Sequence, residues 1–85
     1  MIKLQGGDGT TQDKAIEILG AKNEEEGIDA EYEIISEMLG ERFIDWELVR
    51  QTLIQEEDKS YDQIEIKSGD EHFVIWFDIT DFFGK

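Results

Sequence analysis

The chain contains no cysteine, no proline and a single histidine, and it sets only eight lysines and arginines against 22 aspartates and glutamates. Without thiols there is no disulfide framework and no thiolate metal site, so 85 residues must be held together by core packing alone. Nucleophile–base catalysis is left with one imidazole, His72, and none of Ser36, Ser60 or Ser68 sits in a nucleophile-elbow context. No apolar run approaches the roughly 20 residues that a bilayer crossing requires. The opening "MIKLQGGDGT" has neither the basic start nor the apolar centre of a secretory signal. These absences predict a soluble, cytoplasmic, non-enzymatic single domain over residues 1–85, with no cofactor and no metal. A net charge of −14 repels phosphate backbones and anionic lipid alike, so neither nucleic acid nor membrane is expected as a partner. A basic protein surface is.

What is present is enough to fold. Apolar residues make up 39% of the chain, and eight glycines bring the total to an ordinary globular value. The charge is unevenly placed: residues 23–41 hold eight carboxylates and no lysine or arginine, which is more than half of the net imbalance. That stretch reads as an amphipathic helix over 23–40. Ile28, Tyr32, Ile35 and Leu39 form an apolar stripe that Ile34 and Met38 widen. Asn23 and Glu26 have capping-box spacing at the start, and Gly40 ends it. Asp29, Glu33 and Glu37 repeat every four residues and project away from the stripe, while Glu24, Glu25 and Glu26 crowd the first turn. Like charges at this spacing cost helix stability. Two readings remain open: a solvated face on an acidic protein, or a surface shaped for a cationic partner.

The remainder predicts strands. "AIEIL" (15–19) is a short one, preceded by a turn-rich segment over 1–14 that forms an ordered loop or tail. Residues 45–57, 61–68 and 72–80 form an antiparallel meander spanning 45–80, with turns at "DKS" and at Gly69-Asp70. The second turn sets Ile66 against Phe73 and Ile64 against Ile75, with Phe77 and Ile79 on the same apolar face. A change of parity at Leu48-Val49 calls for a bulge. The opposite face collects Trp76, Tyr61 and Ile54, either covered by the N-terminal segment or exposed as a binding or homodimer face. Phe82 and Phe83, in the tail over 81–85, are expected to fold back onto the domain. Asp78-x-Thr80 is only superficially similar to a phosphatase nucleophile motif, because just seven residues follow Asp78.

Taken together, "GGDGTTQDKAI", "EGIDAEY" and "FDITDFFGK" make the chain resemble a group of small bacterial proteins with a GGDGS/T opening, an AEY helix and an FDI-x-x-FFG ending. The resemblance covers residues 5–84. Gly6, Gly7, Asp8 and Gly9 match the opening, Ala30 to Tyr32 the helix, and Phe77 to Gly84 the ending. It implies a bacterial source and brings no activity with it. The fold expected is α+β, in the order β-α-β-β-β, with the helix on one face of a three-stranded sheet. The function expected is a protein-binding module that engages a basic partner, as immunity proteins and DNA-mimicking inhibitors do. The alternative is a structural homo-oligomer joined through the aromatic sheet face.

Overall fold

The structure, a computed structural model, describes residues 2–85; Met1, the first residue of the expected N-terminal segment, lies outside them. The fold is α+β, with one helix, α1 (Glu24–Leu39), and five strands: β1 (Lys3–Gly6), β2 (Ile16–Leu19), β3 (Glu47–Glu56), β4 (Lys59–Ser68) and β5 (Glu71–Asp78). All five strands join one mixed sheet in the order β1-β2-β5-β4-β3. The antiparallel meander β3-β4-β5 is therefore three strands of a wider sheet. The expected three-stranded sheet must be corrected on two points. β2 adds to β5 in parallel, pairing Ile16 with Phe77 and Glu17 with Asp78, and β1 returns antiparallel to β2. Lys3–Gly6 is a strand, not loop or tail. Its four residues are all exposed, so it carries no alternation that would mark it in the sequence.

The meander register follows from its turns. Gly69 takes φ +62 at the tight turn, which a side chain would disfavour, and sets Ile66 opposite Phe73 and Ile64 opposite Ile75. The register of β3 on β4 shifts between Leu48 and Arg50, the bulge that the parity change requires. The first turn lies one residue earlier than expected: Glu57-Asp58 forms the loop, Glu57 has φ +53, and the ladder resumes at Lys59. Ile18, Ile64, Ile66, Ile75, Phe77 and Ile79 form the core together with Ile35 of α1, Trp46 and Phe82. Phe73, at the end of the sheet, remains partly exposed, as does Phe83, whereas Phe82 is fully packed.

Helix α1 starts as its sequence indicates. The Asn23 side chain accepts a hydrogen bond from the Glu26 amide at 2.9 Å, satisfying one orphan donor of the first turn. It ends at Gly40, whose φ of +105 and ψ of −152 favour glycine, and whose amide bonds to Ser36 O at 2.8 Å. The buried face, however, is rotated from the expected stripe. Gly27, Ala30, Glu31 and Ile35 are buried, while Ile28, Tyr32, Ile34 and Leu39 flank them half-buried and Met38 is exposed. Gly27 explains part of this rotation. A Cβ there would lie 2.5 Å from the Phe82 ring, so the glycine is the seat for the C-terminal aromatic.

Candidate functional site

The exposed flank of α1 carries the acidic residues, and the structure sorts them. Glu25, Asp29, Glu33 and Glu37 are all exposed and follow one another at four-residue intervals, a row of about 18 Å at helical rise. Glu24 and Glu26 do not belong to it as free charges. Glu24 accepts a hydrogen bond from the Gly84 amide at 2.9 Å, tying down the C-terminus, and Glu26 accepts from the Lys22 amide at 3.4 Å. The first-turn acids are thus divided between contacts within the fold and the open surface.

Among the described residues no cation neutralises the row. The ion pairs among the described residues join Lys59 to Asp78, His72 to Glu65 and Lys85 to Asp81, all away from α1. Arg42, close in sequence, is occupied otherwise. Its guanidinium lies 4.5 Å from the Tyr32 ring centre and 4.7 Å from that of Phe43.

Beside the row runs a groove of about 230 Å³ between β1 and α1, lined by Ile2, Leu4, Ala30 and Ile34 with Glu33 and Glu37. An apolar floor with two carboxylates on its wall suits a lysine or arginine side chain, whose methylene stem prefers apolar surface while its head seeks negative charge. The groove exists because β1 pairs with β2 and brings Ile2 and Leu4 against the helix, an arrangement that the sequence alone does not mark. Also missed was the turn after α1. Phe43 and Ile44 are 78% and 75% exposed, and Phe43 holds φ +71, an unusual conformation for a bulky residue. The signal was available in "ERFIDW", two large apolar residues among charges.

The aromatic face also exists. Tyr61 and Trp76 meet edge to face at 6.3 Å, and Ile54 pairs across from Tyr61 on β3. All three are half-buried, in company with Gln63, Glu65 and Lys67. The N-terminal loop reaches this region through its backbone, where the Trp76 amide donates to Gly9 O at 2.8 Å.

Two other acidic features are structural. Asp78 accepts from the Thr80 amide at 3.0 Å and its hydroxyl at 2.6 Å, and Thr80 Oγ1 accepts from the Ser60 amide, so Asp78-x-Thr80 staples the end of β5 to the start of β4. Glu31 is wholly buried under α1, and among the described residues no donor faces its two oxygens. Its neighbour is the buried Asp62 carboxyl, itself bonded to Gln51 Nε2 at 2.9 Å. Burial first, then Asp62, push the Glu31 pKa up to about 10, so at neutral pH Glu31 keeps its proton and donates it to Asp62. Among the described residues no group of three or more acidic or histidine side chains is placed to hold a metal ion, and no helix is long and apolar enough to cross a membrane. Comparison with protein-family models, with curated proteins and with solved structures finds no match.

Proposed function

We propose that the protein is a binding module for a basic protein surface, and that the groove between β1 and α1 takes a lysine or arginine of that partner. The observation that carries this reading is the row Glu25–Asp29–Glu33–Glu37, exposed, without an ion pair among the described residues, and flanking an apolar groove. The like-charge spacing costs α1 a few tenths of a kcal/mol per neighbouring pair, a cost that lysines at alternate positions would have reversed. Phe43 and Ile44, following directly on the helix, supply the apolar contact that charge alone lacks, since affinity is concentrated in desolvated anchors while rim charges steer the encounter. An inhibitor that covers a basic nucleic-acid-binding surface, in the manner of immunity proteins and DNA mimics, fits this chemistry.

A fluorescent, amidated tetralysine peptide tests it by anisotropy at low ionic strength. Binding should weaken steeply with added salt and be lost in Glu33→Lys/Glu37→Lys. An affinity unchanged by that double substitution would end the proposal. The rival, a homo-oligomer joined through Trp76, Tyr61 and Ile54, is supported by the meeting of those residues on one sheet face. It predicts instead a self-association that Trp76→Ala abolishes and charge reversal on α1 leaves intact.

A further inference from the structure

The sheet ends at β3, ten residues long, and this edge has none of the usual protection of lysine or proline. The two-residue loop Glu57-Asp58 makes Glu56 and Lys59 a hydrogen-bonded pair, and alternation gives the same role to Ile54–Tyr61, Thr52–Gln63 and Arg50–Glu65. The other side of β4 agrees, since Ser60 O accepts from the Ile79 amide at 2.9 Å. Gln51, Leu53 and Gln55 therefore turn their amides and carbonyls outward, and no backbone group among the described residues meets them. Leu53, at the centre of the three, is 48% exposed.

We propose that the protein forms a two-fold symmetric dimer in which β3 pairs antiparallel with β3 of a second copy, centred on Leu53. In this register Leu53 faces Leu53 of the partner subunit and Gln51 faces Gln55 of the partner subunit, so every outward backbone group is used, each facing pair exchanging both bonds. A slip of two residues in either direction would set one of them against the bulge at Val49 or the turn residue Glu57.

The charges select the same register. Arg50, which has no ion pair among the described residues, comes opposite Glu56 of the partner subunit, and the symmetry repeats the contact. Arg50 already faces Glu65 within its own chain, and Glu56 faces Lys59. Across the joined sheet the row reads Glu65, Arg50, Glu56 of the partner subunit, Lys59 of the partner subunit: strict alternation of sign, as cross-strand pairs favour. One Glu56 oxygen is engaged by the Gln12 amide, which leaves the other for the arginine. The surface is distinct from the acidic row on α1 and from the Tyr61–Trp76 pair.

Sedimentation equilibrium from micromolar to millimolar protein tests the dimer. Wild-type protein should approach twice the protomer mass, and added salt should tighten the association by screening the two net charges of −14. Arg50→Glu and Glu56→Arg should each weaken it by about tenfold or more, and the double exchange should restore it. Leu53→Pro, which removes an outward amide while sparing the bonds to β4, should give a folded monomer by amide dispersion in NMR spectra. A protein monomeric throughout overturns the proposal. So does a dimer that survives both single exchanges, or one that the double exchange fails to restore.

Discussion

Replacing Glu31 by glutamine should stabilise this protein at neutral pH, against the usual expectation for a buried residue. In the folded state Glu31 holds its proton up to a pKa of about 10, whereas unfolded it titrates at the ordinary 4.5. Below pH 4.5 both states are protonated and the side chain imposes no penalty. As pH rises, the unfolded chain releases the proton and the folded one cannot, so stability is progressively lost through the window from 4.5 to 10. The slope is about 1.4 kcal/mol per pH unit, which accumulates to about 3 kcal/mol at pH 7. Glutamine cannot ionise, fits the same space and still offers Asp62 a donor, so Glu31→Gln should recover most of that amount.

The assay is urea unfolding followed by the fluorescence of Trp46 and Trp76, from pH 6 to pH 9. A His72→Gln background leaves no imidazole in the protein. The parent should lose stability steadily with pH while the Glu31→Gln protein stays nearly flat, the two diverging towards alkaline pH. Parallel, flat curves, or a destabilised Glu31→Gln protein at pH 8, would show that Glu31 is ionised or reached by water in the folded state.

Other outcomes follow from the packing and the helix. Gly27→Ala improves helix propensity by about 1 kcal/mol, yet its Cβ would strike the Phe82 ring, and overpacking of about 1–3 kcal/mol should leave the variant less stable in thermal unfolding. Asn23→Ala removes the side-chain cap and should cost about 1 kcal/mol in urea unfolding. Glu33→Lys/Glu37→Lys makes the 29/33 pair attractive and leaves the 33/37 pair like-charged. Helix stability should therefore stay within a few tenths of a kcal/mol of the parent, so any binding lost in that variant is not a loss of fold.

Local chemistry was the legible part of this sequence. The helix and its two caps, the Gly69-Asp70 register and the bulge near Val49 all depend on residues adjacent in the chain, and the structure has each of them. What required distant partners was not legible. The parallel contact of β2 with β5 joins residues some 60 positions apart, and β1 is a strand only because β2 offers it an edge. The buried face of α1 was displaced for the same reason. A stripe drawn from apolar letters passes over Gly27 and Glu31, one small enough to seat Phe82 and the other buried in protonated form beside Asp62. Of the candidate site, Asp29, Glu33 and Glu37 stand in water as expected, whereas the groove beside them and the Phe43-Ile44 turn emerge only from the assembled fold.

On the proposed reading, recognition of a cation is localised to the wall of the β1–α1 groove and is not a property of negative charge in general. Amide chemical shifts recorded while the tetralysine peptide is titrated at low salt address it directly, because Glu56, Glu57 and Asp58 at the β3–β4 turn provide a second acidic cluster on the same molecule. Shifts concentrated on Leu4, Glu33, Ile34 and Glu37 are the predicted result. Shifts spread evenly over both clusters, or centred on the turn, would contradict it.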